Sequence, residues 1–279
     1  MSKEKLKNFL KTSAFGRIAL IPYRFRVALS FYYRPMINIV TWLISSREHT
    51  NFTYDLDDLN KDYLASFVAV ITNTQVGQIR DYIAELEQDE QLKSHIAKLT
   101  ARAKEKYVAD TQVRYGRRLG WYAVVRAQKP RLVIETGVDK GLGSCVIAAA
   151  LMKNDEEGFK GLMYGTDINP EAGYLLQPPY SQYGQILYGD SIESLKKLSG
   201  QIGVFINDSD HSADYEGREY EAIEQKLAPD ALILGDNAHC TEKLFEFAML
   251  TNRNFLFFQE RPLSHWYPGG GIGAAFSKR

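Results

Sequence analysis

Acidic and amide side chains recur at the ends of apolar, β-forming runs in the second half of this 279-residue chain. The polar residues that directly follow these runs are Glu135 and Gly137, Asp167, Asp190, Asp208 and Asp210, and Asp236 with Asn237. In an open parallel sheet, small-molecule sites lie outside the carboxyl ends of the strands. Carboxylates gathered there can accept hydrogen bonds from ligand hydroxyls or coordinate a cation. The pattern therefore predicts one crevice in which these side chains converge.

The elements that would position these residues alternate between strand and helix after Arg131. Apolar runs such as "RLVIETG", "GLMYGTD" and "GVFINDSD" are separated by helical segments such as "SIESLKKL" and "TEKLFEFAML". Such alternation predicts βαβ units in a mostly parallel, Rossmann-like α/β sheet. The last two β-like runs, within "NFLFFQERPLSHWYPGGGIGAAFSKR", are joined by a loop too short for a crossover helix. We therefore expect them to be antiparallel neighbours.

Composition divides the chain into three predicted parts. Residues 1–46 form a basic, aromatic arm, residues 47–130 show helix-period apolar spacing, and residues 131–279 form the α/β domain. We expect the helical part to cover the site or to form a homodimer interface. The residues of this part that we expect at the mouth of the site are Tyr107, Arg114, Tyr115 and Arg118.

The arm concentrates positive charge in a chain whose formal net charge is zero. Residues 1–47 contain nine Lys or Arg and one acid, Glu4. Arg34 and Pro35 interrupt the most apolar window, which argues against a single membrane-spanning helix. Two interpretations stay open: short amphipathic helices on a membrane surface, or aromatics packed on the main domain. With two cysteines and no CxxC, we expect a cytoplasmic protein, with peripheral contact at the inner membrane face as the membrane alternative.

Three glycines in "TGVDKGLG", at positions 137, 141 and 143, predict a tight strand–helix turn beside a nucleotide. One interpretation is the TGxxxGxG pattern of NAD(P)-dependent short-chain dehydrogenases. That family also needs a Tyr-x-x-x-Lys pair, and none of the seventeen tyrosines has a lysine four residues later. The oxidoreductase is therefore the weaker alternative.

The stretch "ETGVDKGLGS" instead resembles motif I of class I S-adenosylmethionine (SAM) methyltransferases, and the other motifs of that family follow in order. The resemblance covers residues 131–279 and implies a seven-stranded sheet whose last strand is antiparallel. It implies that Asp167 in "YGTDINP" binds the ribose hydroxyls and that "YGDSIESL" contacts adenine. The implied cofactor contacts are Glu135, Thr136, Gly137, Gly141, Gly143, Ser144, Asp167, Ile168, Asp190, Ser191 and Asp208.

The stretches "INDSDHS" and "LGDNAH" resemble the metal site of catechol-type and macrocin-type O-methyltransferases. This resemblance implies methyl transfer to a hydroxyl of a small molecule or glycan, assisted by Mg²⁺. The implied ligands are Asp208, Asp236 and Asn237, with Asp210 as an alternative. His211 is the first candidate for the general base and His239 the next.

Two departures keep a metal-independent SAM enzyme with a histidine base as an alternative. Macrocin-type proteins commonly present a second Asp where this chain has Asn237, and "DSDHSADYE" also resembles a broader methyltransferase group in which metal dependence is not assured.

Composition and motifs also bear on whether the chain acts on nucleic acid or is a non-catalytic binding protein. Residues after the arm are acidic overall, and no NPPY- or DPPY-type tetrapeptide follows the fourth strand, which disfavours nucleic acid as the acceptor. A non-catalytic, membrane-associated binding protein is a further alternative. Trp266 and Tyr267 could stack on a sugar ring, or could be packing residues.

Overall fold

The computed structural model describes residues 3–278, which fall into two compact units. The first unit comprises the residues up to Ser46 together with Ser264–Tyr267. The second comprises Arg47–Leu263 and the residues from Pro268 onward. The predicted helical part and the predicted α/β domain thus lie in the same compact unit.

A seven-stranded sheet forms the centre of the second unit, in the order β3-β2-β1-β4-β5-β7-β6. The strands are β1 (Leu132–Thr136), β2 (Leu162–Asp167), β3 (Gly184–Tyr188), β4 (Ile202–Asn207), β5 (Leu227–Asp236), β6 (Arg253–Gln259) and β7 (Gly271–Ser277). The pairs among β1 to β5 are parallel, whereas β7 is antiparallel to both β5 and β6. The predicted Rossmann-like sheet with an antiparallel terminal strand is confirmed.

Eight helices accompany this sheet among the described residues. They are α4 (Asp58–Thr72), α5 (Val76–Glu87), α6 (Glu90–Arg102), α7 (Arg118–Gln128), α8 (Leu142–Glu156), α9 (Ser191–Lys197), α10 (Ala213–Ile223) and α11 (Lys243–Leu250). Every residue of β1 is buried, as are ten residues of α8. Parallel strands that are covered on both faces have such continuous apolar runs. This is why the strands could be predicted from the sequence.

Buried polar contacts join the helical part to the sheet. The Asn60 side-chain amide on α4 donates to the Gln259 carbonyl and its Oδ1 accepts from the Arg261 backbone N–H. The Arg126 guanidinium on α7 donates to Glu85, Asn154 and Glu157, which lie on or beside α5 and α8. Since such groups must be paired when they lose water, these bonds fix the helices against the domain.

The first unit contains three helices: α1 (Lys3–Thr12), α2 (Ala14–Ala19) and α3 (Ile21–Ser45). Contrary to the interruption expected at Arg34 and Pro35, α3 continues through Pro35. A proline withholds one backbone donor, so the hydrogen bonds on either side of it can still carry the helix. Among residues 3–278, no helix is both long and apolar enough to cross a membrane.

Candidate functional site

A cavity of about 640 Å³ opens at the carboxyl edge of the sheet. This volume lies in the range typical of small-molecule sites. The residues predicted from the sequence that line it are Glu135, Gly137, Asp167, Ile168, Asp190, Ser191, Asp208, Asp210, His211 and Asn237. The strand-end side chains therefore converge, as the sequence pattern predicts.

Gly137 makes the close approach at the end of β1 that this cavity requires. Its backbone has φ +79°, and a Cβ atom there would lie 1.9 Å from the Asp208 carbonyl oxygen. Only glycine fits both the conformation and the space. The absence of a side chain at Gly137 thereby lets the loops after β1 and β4 pack in direct contact.

Asp167 at the end of β2 is fixed by three backbone donors. Its Oδ2 accepts from the N–H groups of Val138 and Asp139 at 3.0 and 2.9 Å, and its Oδ1 accepts from Asn169 N–H at 2.8 Å. Oδ1 retains acceptor capacity for a ligand, because a carboxylate has about four lone-pair sites and these donors occupy three of them. The carboxylate is therefore oriented before any ligand arrives. We call this region, with Asp190, Ser191 and Tyr215, the Asp167 end.

Tyr215 on α10 completes the Asp167 end, although the sequence analysis did not single it out. Its hydroxyl donates to Asp190 at 3.3 Å and lies 2.9 Å from Ser191 Oγ. Asp190 also caps α9 by accepting from Glu193 N–H at 3.0 Å. Ile168, 81% exposed, lies on the rim beside these groups.

Four residues of the glycine motif predicted to contact a cofactor do not line the cavity: Thr136, Gly141, Gly143 and Ser144. The Thr136 hydroxyl donates to Glu219 at 3.2 Å, and the Ser144 hydroxyl donates to Glu135. Gly141, with φ +94°, is the N-cap of α8. These residues support the cavity wall from behind, because the motif's turn directs their side chains and backbone toward the core.

Glu135 is the one buried carboxylate at the floor of this motif. Burial raises its pKa to about 7, opposed by the Ser144 hydroxyl and the Arg118 guanidinium, which favour the ionised form. A Cβ on Gly143 would lie 2.1 Å from Glu135 Oε1 and 2.6 Å from Trp121. The glycine is thus required so that α8 can close over this carboxyl group.

At the opposite end of the cavity, Asp208, His211 and Asp236 offer ligand atoms within 4.8 Å of one another. Together with Asn237, they form what we call the Asp236 end. Asp236 is fully buried, and both of its carboxylate oxygens accept from the Arg117 guanidinium. Burial and the neighbouring Asp236 raise the pKa of Asp208 well above its usual range. Although burial opposes ionisation, Arg117 keeps the pKa of Asp236 below its usual value.

Arg117 itself is held by Glu260, a second buried carboxylate. Glu260 Oε1 accepts from the Arg117 backbone N–H at 3.0 Å, and Oε2 accepts from the Tyr54 hydroxyl at 2.9 Å and from Gly270 N–H at 3.1 Å. The sequence analysis missed Tyr54, Arg117 and Glu260. The one sequence feature that could have indicated Arg117 is the arginine pair in "RYGRRLG", of which the sequence prediction names Arg118.

His211 lies between a buried carboxylate and the cavity. Its Nδ1 is 3.7 Å from Glu216 Oε1, and its Nε2 is 3.3 Å from Asn237 Nδ2 and 3.9 Å from Asp208 Oδ1. Glu216 raises the pKa of His211, although partial burial works against this. At 3.7 Å, Glu216 favours the charged imidazolium without a hydrogen bond to Nδ1.

The structure does not bring His239 into the cavity. Its side chain is exposed, with its ring centroid 6.2 Å from that of Phe257. The helical turn after β5 points this residue away from the edge where Asp236 and Asn237 lie. Of these two histidines, His211 is therefore the one that lines the cavity.

Of the four residues expected at the mouth, Arg118 lines the cavity, whereas Tyr107, Arg114 and Tyr115 do not. Arg118 Nε is buried without a hydrogen-bond partner among the described residues, and its guanidinium lies 5.3 Å from the centre of the Trp121 ring. Trp266, which we considered for stacking on a sugar, belongs to the first unit and packs edge-on against Trp42 at 5.4 Å.

Residues 134–238 match a family model described as a methyltransferase domain. No curated protein sequence matches the chain. An O-methyltransferase from Bacillus cereus, solved with S-adenosylhomocysteine (SAH), superposes with a TM-score of 0.53 at 13% identity, covering 71% of this chain and 96% of that one.

TomG from Streptomyces achromogenes, an O-methyltransferase involved in tomaymycin synthesis and solved with SAM, superposes with a TM-score of 0.52 at 15% identity. The match covers 69% of this chain and 92% of that one. These likenesses show a shared fold. The family match at residues 134–238 agrees with the prediction of a methyltransferase domain.

Proposed function

We propose, from the methyltransferase domain at residues 134–238, that this chain transfers a methyl group from SAM to a hydroxyl of a small molecule or glycan. The observation that carries the proposal is the convergence of Glu135, Asp167, Asp190 and Asp208 on one cavity beside the Gly137 turn. Both structural relatives described above are O-methyltransferases, one solved with SAH and one with SAM.

The Asp167 end fits the nucleoside of SAM. Asp167 is fixed by backbone donors, and its Oδ1 can accept from a ribose hydroxyl. Asp190, Ser191 and Tyr215 provide polar groups for adenine, and the rim residue Ile168 provides an apolar surface for its ring.

Arg118 fits the charge at the other end of the cofactor. Its guanidinium lines the cavity and has no ion-pair partner among the described residues, and its Nε is buried and unsatisfied. A guanidinium N–H group that is buried without an acceptor is costly, so an anionic ligand group that accepts from it would stabilise Arg118. We assign Arg118 to the methionine carboxylate of SAM, for which a planar guanidinium offers two parallel donors.

The Asp236 end has donors suited to a divalent cation. Asn237 Oδ1 is buried without a hydrogen-bond partner among residues 3–278, and the Asn237 amide contacts the Asp236 carboxylate through Nδ2 at 3.1 Å. Such hard oxygen ligands suit Mg²⁺, which we propose is held by Asp208, Asp236 and Asn237. When bound, the ion would orient the acceptor hydroxyl and lower its pKa.

His211 is the residue that we propose removes the acceptor proton. With Nδ1–H directed toward Glu216, its Nε2 is left to accept a proton on the side of Asp208. Arg117 keeps Asp236 ionised in a buried setting, so the cavity retains negative charge beside the developing imidazolium. The protein's own contribution is thus to position the acceptor hydroxyl, to remove its proton and to exclude water from the cavity.

One observation favours a second candidate, the same transfer without a metal. Both oxygens of Asp236 already accept from Arg117, so the charge that would otherwise require a cation has a protein partner. In this candidate, His211 alone activates the hydroxyl. A small-molecule or glycan acceptor suits both candidates, because the chain after the arm is acidic and would repel a nucleic-acid backbone.

Calorimetric binding of SAH, followed by radiolabelled methyl transfer to a panel of catechols and sugars, tests the proposal. We expect SAH to bind and at least one hydroxyl compound to be labelled. Loss of labelling in EDTA that Mg²⁺ restores selects the metal-assisted candidate, whereas unchanged labelling selects the second. Failure of SAH to bind the full chain would overturn both.

A further inference from the structure

The first unit presents a bare apolar face on α3. Seven large side chains recur at intervals of three or four residues along this helix and therefore lie on one side of it. Each is between 39 and 66% exposed, and they are Ile21, Phe25, Leu29, Tyr32, Met36, Ile39 and Leu43. None of the 25 residues of α3, all of which the structure describes, is buried. An apolar stripe about 33 Å long is more than isolated exposed side chains, and it marks an interaction surface.

The opposite side of α3 carries more polar residues, together with the exposed Tyr23, Val27 and Ile37, and it is partly covered. It carries, also at helical spacing, Arg26, Ser30, Arg34, Asn38, Thr41 and Ser45. The Asn38 amide donates to the His265 carbonyl at 3.2 Å, and the neighbouring Trp42 packs against Trp266. The Ser264–Tyr267 segment of the same unit thus packs on the polar side and leaves the apolar stripe uncovered.

From this asymmetry we infer that the apolar face of α3 lies in the surface of an anionic membrane. Residues 3–46 carry one acid, Glu4, and eight cationic side chains: Lys3, Lys5, Lys7, Lys11, Arg17, Arg24, Arg26 and Arg34. A helix with an apolar stripe and flanking cations lies in the interface with its apolar side in the acyl boundary. Tyrosines such as Tyr32 suit this depth, where aromatic rings with polar tips are enriched.

The charge also decides between occupants of the face. A second copy of the chain would bring the same excess of Lys and Arg to the contact, and like charges would repel across it. Anionic headgroups instead neutralise these residues. Because no described helix can cross a membrane, the contact is peripheral.

Co-sedimentation of the full chain with lipid vesicles tests this assignment without any substitution. We expect the chain to pellet with phosphatidylcholine vesicles that contain about one third phosphatidylglycerol, to stay in solution with pure phosphatidylcholine, and to bind less at about 0.5 M salt. Equal recovery in the supernatant with both vesicles would overturn the inference.

A matched pair of neutral double variants tests which face is used. Leu29→Gln with Met36→Gln changes the apolar face, and Ser30→Gln with Thr41→Gln changes the polar side by the same number of residues. Gln favours helix, and the four side chains are exposed, so both variants should keep the circular dichroism and melting temperature of the parent. We expect the first pair to weaken vesicle binding by about tenfold or more and the second by less than about twofold.

Sedimentation velocity without lipid completes the design. We expect the same sedimentation coefficient for the parent and for both double variants. A parent dimer that Leu29→Gln with Met36→Gln dissociates would overturn the inference in favour of a second copy on this face. Equal weakening of vesicle binding by both double variants would also overturn it.

Discussion

The two ends of the cavity hold their carboxylates by different means. At the Asp167 end, backbone N–H groups within three residues of a strand end orient a partly exposed carboxylate. At the Asp236 end, a fully buried carboxylate depends on the Arg117 side chain, which in turn depends on Glu260 and Tyr54. The loops after two neighbouring strands supply the first set of partners, whereas side chains from three distant segments supply the second.

This difference separates binding from stability. Backbone donors are present whenever the loop is folded, so Asp167 is preorganised. Ligand binding therefore costs little free energy in orienting its carboxylate. Buried charges repay their desolvation only when every partner is in place. We therefore expect substitutions at the Asp236 end to affect unfolding most, and substitutions at the Asp167 end to affect mainly SAH binding.

Arg117→Met is the substitution with the largest expected effect. It leaves Asp236 and Glu260 buried without their guanidinium, and we expect a loss of about 3–5 kcal/mol in the free energy of unfolding. Arg114→Met is the matched control, because among the described residues the Arg114 guanidinium donates to the exposed Gln112 side chain and not to a buried carboxylate. Urea denaturation measures both variants. A loss below about 1 kcal/mol for Arg117→Met would contradict the comparison.

The second effect is a pH dependence of stability that arises from Glu135. Its folded pKa of about 7 exceeds the ordinary value of 4.5, so the folded state binds the extra proton between these values. Stability should therefore fall as pH rises through this window, by about 3 kcal/mol in total, and change little above it.

Glu135→Gln removes the titrating group and keeps an acceptor for the Ser144 hydroxyl. Urea unfolding at about pH 5 and about pH 8 should therefore show a smaller difference for the variant than for the parent. Identical pH profiles for the two proteins would show that Glu135 does not titrate in this window.

Asp167→Ala tests the role of the Asp167 end in cofactor binding. We expect SAH binding to weaken by about 1.5–3 kcal/mol, the scale of hydrogen bonds to a charged group. Glu171→Ala makes the same charge change nearby, outside the cavity lining, and should leave calorimetric affinity unchanged. Equal losses in both variants would point to long-range charge instead of a direct contact.

Tyr215→Phe has the smallest expected effect. It removes the hydroxyl that bonds Asp190 and Ser191 while the ring stays in place. SAH affinity should fall by about 0.5–1.5 kcal/mol, with unfolding free energy nearly unchanged. A larger loss in the free energy of unfolding than in the free energy of SAH binding would contradict this. Tyr215 would then act in stability, as the buried groups at the Asp236 end do.

The sequence predicted much of the fold because the signals are local. The apolar runs of β1, of β4 and of the second half of β5 are largely buried on both faces and stand out as β-rich segments. The short connection before β7 predicted an antiparallel end strand, which the pairing of β7 with β5 and β6 confirms. The helix through Pro35 was missed, because a lost hydrogen bond inside a long helix can be tolerated.

The site was predictable to the extent that it follows strand ends. Asp167, Asp190, Asp208, His211 and Asn237 line one cavity, since the carboxyl ends of parallel strands share one edge. His239 lies two residues beyond Asn237, yet the turn after β5 carries it away from the cavity. Sequence proximity to a strand end is therefore not enough to place a side chain.

By itself, the sequence determined the α/β domain, the glycine turn at Gly137 and the row of acids at the sheet's edge, because each depends on residues close together in the chain. Only the tertiary structure decided that Arg117, Tyr54 and Glu260 enclose Asp236 and that Glu216 stands behind His211. The physical reason is that a buried charge is matched by whichever opposite charge the fold brings within reach, and spacing along the chain does not encode that partner.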